Sequence, residues 1–490
     1  MKKYNKLSFI VLLMVSFFWT SSCDEWTDMN VNPNQPTEVP TSNVFGSGII
    51  VVTGQLLGER IGLYYTGSWA GQTAAIGLGD YEFRVDINNG QWDNLYRGMA
   101  YFVDAIRNAT EEENDNLVAA AMIMKAYTGQ QVSDMWGDVP YTQAFQLDDD
   151  VANPVFDPQE VVYNQLLSEL KSANDMLQEG AGNIGVGDFI YQGDIMKWKK
   201  FANSLRLRVA MRMSLVDPNT AGQVISEILG NPGQYPIFED NSDNAYLWWP
   251  GAAPDIELWN RRLGTPTNKN DQYRTNHEMI SLLNEYNDPR LSVYADENQN
   301  GFFNGYKMGI GQLSDPLNTD PNVSHVGNRH GYDPDGFSPY MNAAQVWFIK
   351  AEAYERGLAT GDAQEAYEMG IKLSLEENDI TESEIMTYMA EPEVMWDGGT
   401  TTNLEKIRLQ NWLALFKQSV EAWAEVRRTD VPLITNVSED YALLDHNRPP
   451  FRMSYPANES AHNTEFPFDI NVEDIFYGTQ MWWDTRQGVK

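Results

Sequence analysis

Trp347-Phe348-Ile349-Lys350-Ala351-Glu352-Ala353-Tyr354, the turn Gly361-Asp362 and then Ala363-Gln364-Glu365-Ala366-Tyr367 form the stretch that decides the fold. Trp347, Lys350, Ala351 and Tyr354 recur at three- and four-residue spacing, so they share one face of a helix. Ala363 and Tyr367 repeat that spacing after the turn. The pattern is that of a tetratricopeptide unit, a helix–turn–helix repeat, with Lys350 where Leu is usual. Small Ala351 and Ala363 let the two helices approach, and Tyr354 and Tyr367 fill the space between pairs. One pair cannot bury its apolar face alone, so more divergent units must stack against it.

The helical patterns at 117–131 and 157–179 are candidates for those units. Leu117 to Gln131 is apolar and Ala-rich, and Met135-Trp136-Gly137-Asp138-Val139-Pro140 breaks it. Asp157-Pro158-Gln159-Glu160 has the form of a capping box with Pro at the first helical position. From Ile195 to Leu215 the stripe Trp198, Phe201, Ala202, Leu205, Val209, Met213 marks another helix, stopped by Asp217-Pro218. Lys199, Lys200, Arg206, Arg208 and Arg212 lie largely off the stripe and are expected to pair with carboxylates. Helical pattern returns over 343–378 and 404–428. The expectation is a mostly α-helical scaffold of tetratricopeptide-like helix pairs, one body over 41–490. Residues 230–340 form a loop-rich insertion of Gly, Pro, Asn and Asp, the kind of backbone on which binding residues concentrate.

The chain has 34 basic against 69 acidic residues, a formal net charge of −35, which repels nucleic acid and anionic lipid. At the N-terminus Lys2, Lys3 and Lys6 precede the apolar run Leu7 to Trp19 and then Thr20-Ser21-Ser22-Cys23. That order reads as a signal peptide over 1–22, whose apolar run Leu7 to Trp19 is too short for a membrane span of roughly 20 residues. No later segment reads as long and apolar enough to span a bilayer. Cys23, the only cysteine, stands where a lipoprotein is lipidated, although Thr20 replaces the usual lipobox Leu. Residues 23–40, rich in Asn and Pro, read as a lipidated tether. A single cysteine leaves no internal disulfide, so packing alone must hold the core.

The chain resembles the SusD/RagB nutrient-binding outer-membrane lipoproteins of Bacteroidetes over essentially its whole mature length. The resemblance is carried by Asn32-Pro33-Asn34-Gln35-Pro36-Thr37, by Asp134-Met135-Trp136-Gly137-Asp138-Val139-Pro140-Tyr141, and by the run from Gly193 to Arg206. It is carried further by the repeat at 343–378, Glu421-Ala422-Trp423-Ala424-Glu425-Val426-Arg427-Arg428-Thr429, and Arg452-Met453-Ser454-Tyr455-Pro456. The resemblance implies a lipid-anchored, surface-exposed subunit of the outer membrane that serves a SusC-like TonB-dependent transporter barrel and delivers oligosaccharides, or in some branches peptides. Asp24 and Glu25 resemble the surface-export signal of that phylum.

Sugar sites stack a pyranose on Trp or Tyr and grip its hydroxyls with Asn, Asp and Arg. Two regions carry that mixture. The first runs from Trp69 to Trp92 and includes Asp80, Tyr81, Phe83, Arg84, Asn88 and Asn89. The second holds Tyr246, Trp248, Trp249 and Trp259 with Asp255, Asn260 and Arg261. Each Trp can equally serve the core, but adjacent Trp248 and Trp249 cannot easily both be buried on one face. Asp296-Glu297-Asn298-Gln299-Asn300-Gly301 starts like an EF-hand loop, yet Lys307 stands where its bidentate Glu belongs, so a turn at Asn300-Gly301 is the better reading. Asp148-Asp149-Asp150 reads as a solvated charge run, and no cofactor or metal is expected. The sequence lacks a Gly-x-Ser-x-Gly elbow, a phosphate-binding loop and a metalloprotease helix. The expectation is therefore a non-enzyme. The alternatives are a surface glycoside hydrolase, whose carboxylate pair is spatial rather than sequential, and a repeat scaffold contacting only protein.

Overall fold

The helices follow the stripes read in the sequence. A computed structural model describes residues 39–76, 85–146, 151–309, 314–435, 445–471 and 475–490. Cys23, with the expected leader and most of the expected tether, lies outside the described residues, as do Asp80, Tyr81, Phe83, Arg84 and Asp148-Asp149-Asp150. Six long helices lead the scaffold, with a short helical segment over 59–69 between the first two: α1 (Thr41–Leu56), α2 (Val85–Glu111), α3 (Asp115–Trp136), α4 (Gln159–Met176), α5 (Ile195–Met213) and α6 (Pro218–Gly230), each packed on the next. The repeat supplies α7 (Ala343–Glu355) and α8 (Ala363–Glu377), and α7 touches α5, α8 and α9 (Asn403–Ala414). The single helical run expected over 404–428 is instead two helices, α9 and α10 (Ser419–Thr429). Lys417, at φ +73°, sits in the break between them.

Starts and stops are set by side chains that satisfy free backbone N–H groups. Asp194 accepts from Lys197 N at the start of α5, and Asp217, which ends that helix, accepts from Thr220 N to start α6. The capping box at 157 does not form. Pro158 precedes α4 without a side-chain cap, and Gln159 N donates to Asp138 at 2.7 Å. Asp157 is turned the other way, accepting from Tyr141 N and Thr142 N.

Inside the repeat, α8 closes on α7 at Gly370, where a Cβ would lie 2.7 Å from the ring of Phe348. Lys350 departs from the repeat pattern because its ammonium lies 3.2 Å over the ring of Trp347, a cation–π contact that Leu could not make.

The segments that carried the family resemblance meet in a buried ionic seam. Arg212 of α5 pairs with Asp134 of α3 at 3.4 Å and with Glu421 of α10 at 2.5 Å. Glu352 of α7 pairs with Arg428 at 2.7 Å and Arg408 at 3.0 Å. Arg427 donates to the carbonyl of Asp134 and stacks 3.4 Å over Trp423. Trp483, from the C-terminal aromatic patch, donates to Asp134 at 3.1 Å. Arg428 and its neighbours hold Glu352 far below the usual carboxylate range, while burial pushes Arg427 down to about 9. Of the basic residues of α5, Arg206 pairs with Glu227, Lys200 with Glu239 and Asp243, and Arg208 and Arg212 with Glu421, as expected, whereas Lys199 donates to the carbonyl of Leu177. Removing one partner of a fully buried pair such as Arg212–Asp134 or Arg428–Glu352 costs about 3–5 kcal/mol, because the other charge is left unpaired.

Two expectations need correction. The run Thr41–Trp69 is long and apolar enough, by length and composition, to cross a membrane. Its apolar residues are spent on the core: Phe45, Ile49 and Val52 are fully buried, and α1 packs on α2. The loop-rich insertion is also more ordered than its composition suggests. Its strand β3 (Tyr273–Thr275) pairs antiparallel with β1 (Thr73–Ala75) from near the N-terminus, and its β2 (Ala245–Trp248) pairs with β4 (Phe337–Met341). The segment at 296–302 is a turn, with Asn298 N donating to Phe302 O at 2.7 Å and Gly301 at φ +78°. Asp296 is ion-paired to Lys269.

Candidate functional site

Strand β2 alternates its side chains between two faces, and that alternation sorts its aromatics. Leu247 and Trp249 turn inward; Trp249 is 8% exposed and donates to Ser338 Oγ at 2.9 Å. Tyr246 and Trp248 lie on the other face, opposite Phe337 of β4. Phe337 stacks on Tyr246 at 4.7 Å with an 8° interplanar angle and lies 5.1 Å from Trp248. The result is an aromatic cluster whose outer member, Trp248, is 60% exposed. Adjacent Trp248 and Trp249 divide between surface and core, as their adjacency required.

Trp248 stands between two clefts that also share Gln192. One, of about 520 Å³, is polar: Lys197 from the first turn of α5, Asn241, Ser242 and Asn244 from the turn before β2, Arg329, and Glu377 at the end of α8. The other, of about 550 Å³, is apolar, walled by Ile50, Val186, Phe189, Leu247 and Pro250, with Asp255 at its margin. Val186 and Phe189 are exposed there. In the polar cleft the Tyr246 hydroxyl donates to the Glu377 carboxylate. Burial pushes the Glu377 carboxyl up to about 7, against the lowering effects of Tyr246 and Arg329. Arg329 is ion-paired to Asp379 and donates to the Glu377 carbonyl at 2.5 Å.

The other expected ligand contacts separate. Trp69 is core, 4.9 Å from Trp423. Trp259 is fully buried, donating to Leu57 O at 3.0 Å. Asn260 is buried beside it and donates to Gly264 O. Arg261 is exposed, 5.9 Å over the ring of Trp249, and holds the carbonyl of Pro254. Trp92 is buried against Trp136 at 5.2 Å, with its Nε1 donating to Glu459 at the edge of a separate cleft of about 390 Å³. From the second aromatic group, Tyr246 and Trp248 stand at the polar cleft and Trp248, Trp249 and Asp255 at the apolar one; Asp80, Tyr81, Phe83 and Arg84 lie outside the described residues. The sequence reading missed Phe337, Gln192, Lys197, Arg329 and Glu377. Phe337 could have been found from a strand-like run after Gly336; the others carry no local signal.

An aromatic ring at the surface, with amide, hydroxyl and charged groups on one side and an apolar wall on the other, suits an amphipathic ligand with hydroxyls on its edges. The family model described as starch-binding associating with outer membrane matches residues 33–456. No curated protein matches the chain. Among solved structures, a SusD-like protein from Bacteroides thetaiotaomicron shares 24% identity over 92% of this chain and 100% of its own, with TM-score 0.76. A SusD homologue from Bacteroides uniformis shares 25% over 90% of this chain and 99% of its own, with TM-score 0.75. A chitin-binding SusD homologue from Flavobacterium johnsoniae shares 23% over 90% of this chain and 99% of its own, with TM-score 0.72. A match running from the tether to the C-terminal loops, over a helical scaffold of the same kind, leaves one conclusion: the chain belongs to the SusD-like family.

Proposed function

We propose that this protein is a non-catalytic surface lipoprotein, anchored through Cys23, that captures an oligosaccharide and delivers it to a TonB-dependent outer-membrane transporter. The observation that carries the capture step is Trp248, a large aromatic left 60% exposed between a polar and an apolar cleft. Exposing an indole forfeits burial free energy of about 2 kcal/mol, and a sugar face stacked on the ring recovers it. Family membership supports the outer-membrane setting, and the chitin-binding neighbour supports a carbohydrate over a peptide. Delivery to a barrel follows the family resemblance.

The test is calorimetric titration of the mature chain with a panel of oligosaccharides and peptides, alongside product analysis. Binding of a glycan without release of shorter products is the expected result. Turnover would establish the glycoside hydrolase reading instead, and binding of peptides alone would replace the sugar. Mild-detergent extraction from outer membranes should co-purify a large β-barrel; recovery of the lipoprotein alone would remove the transporter from the proposal.

A further inference from the structure

Glu377 ends a helix of the repeat scaffold, yet its side chain lines the polar cleft beside Trp248. One carboxylate oxygen accepts from the Tyr246 hydroxyl. The other accepts no hydrogen bond from the described residues. A mostly buried carboxylate is costly unless its lone pairs are filled, so a half-filled one in a cleft is fitted to receive donors from a ligand. The fixed geometry adds to this. Tyr246 is itself clamped by the stack on Phe337, so the carboxylate is held a short distance from the face of the aromatic cluster.

We propose that Glu377 decides which sugar the cleft accepts: a neutral residue bearing two adjacent free hydroxyls, stacked on Trp248 and donating both hydroxyls to this carboxylate. The inference rests on the glycan-capture reading. Adjacent ring hydroxyls present two donors to the two oxygens of one carboxylate, a charge-assisted pair stronger than neutral hydrogen bonds. A uronate would bring a second negative charge against Glu377. The cleft's own charges also balance: Lys197 and Arg329 stand against Glu377 and the Asp379 that holds Arg329. A β-1,4-linked chain of N-acetylglucosamine leaves no adjacent pair of free hydroxyls inside the chain, so it fits less well.

Because the acceptor must be ionised, binding should weaken as pH falls through the Glu377 pKa of about 7. The groups around it do not confuse that reading. Tyr246 is pushed well above its ordinary pKa by burial and by Glu377. His330, behind the cleft and bonded to Asn378, is held down to about 3 by burial and Lys417. Arg329, Lys197 and Asp379 are the other charged groups at this end of the cleft.

The experiment titrates the mature chain, Glu377→Gln and Trp248→Ala with 1,4-linked hexaoses of glucose, xylose and mannose, and with hexamers of N-acetylglucosamine and galacturonate, from pH 5.5 to 8. At least one of the three neutral diol hexaoses should bind the native chain, with Kd rising roughly tenfold as pH falls. Glu377→Gln should bind roughly tenfold more weakly at pH 8, with no pH dependence, while thermal melting shows it folded. Tighter binding of the galacturonate or N-acetylglucosamine hexamer than of every neutral diol would overturn the assignment. So would Glu377→Gln binding as the native chain does; if Trp248→Ala still abolishes that binding, the capture site stands and only the role of Glu377 falls. Binding of none of the hexamers removes glycan capture and this inference together.

Discussion

Trp248 and Trp259 come from the same irregular segment and meet opposite fates. Trp259 is closed off beneath Leu57 and against Phe416, whereas Trp248 keeps most of its ring in solvent. Their substitutions should therefore separate function from stability. Trp248→Ala removes an exposed platform and should reduce glycan affinity roughly 10- to 30-fold, about 2 kcal/mol, with little change in Tm. Trp259→Ala opens a cavity in a packed core and should cost about 3–5 kcal/mol of stability. Calorimetry and thermal melts on both variants check the pair; a destabilised Trp248→Ala with unchanged affinity would place that ring in the scaffold. Their difference was not legible in the sequence, because an indole serves a core and a sugar face equally well. What decides is the strand register: Trp248 lies opposite Phe337, and the contact between Trp249 and Ser338 spans 89 residues. Glu377 was hidden for a similar reason. At the end of an amphipathic helix it has the form of an ordinary solvated acid, and only the approach of Tyr246 from a distant strand makes it a cleft residue.

At the scale of elements, local signals read well and long-range ones did not. Asp194 and Asp217 sit beside the helices they cap, and Asp217-Pro218 was legible as the stop of α5. The start of α4 was misread because its cap, Asp138, lies 21 residues upstream, and no adjacent pattern reports it. The helix pair α7–α8 was legible by spacing, but the close approach at Gly370 was not. That contact can be tested against a second helical glycine. Gly222 of α6 has no atom nearer than 3.9 Å to an added Cβ, so Gly222→Ala should stabilise the chain by about 0.5–1 kcal/mol through helix propensity and chain entropy. Gly370→Ala gains the same propensity but drives a methyl to 2.7 Å from the Phe348 ring. Overpacking there should outweigh propensity, for a net loss of about 1–3 kcal/mol. Chemical denaturation of the two variants compares them directly, and a stabilised Gly370→Ala would show that α7 and α8 have room to spare.

For the whole molecule, charge and burial together fix how stability depends on pH. Glu352, and Glu227 at about 2, are held below the ordinary carboxylate value of 4.5 by their arginine and lysine partners. Groups of that kind stabilise the fold above the unfolded pKa and lose the contribution as pH falls through the folded one. Glu227 is partly exposed, so its share is limited to about 1 kcal/mol; buried Glu352 supplies more. Glu377 works in the opposite sense. Its folded pKa of about 7 lies above the ordinary 4.5, so between those values the folded chain binds the extra proton. Stability from this group is full below about 4.5 and falls as pH rises through 7, by at most about 3 kcal/mol. The net charge of −35 acts in the same direction, since ionising further carboxylates increases self-repulsion. Melting temperature should therefore rise from pH 2 to a maximum near pH 5 and decline toward pH 8. Salt separates the two causes of the decline. At 0.5 M salt the screening length falls to roughly 4–5 Å, which suppresses general repulsion but leaves a buried carboxyl little affected. The decline that survives high salt in the native chain should be absent in Glu377→Gln. Loss of the whole decline on adding salt, with Glu377→Gln matching the native chain at every pH, would show that Glu377 ionises freely in the cleft.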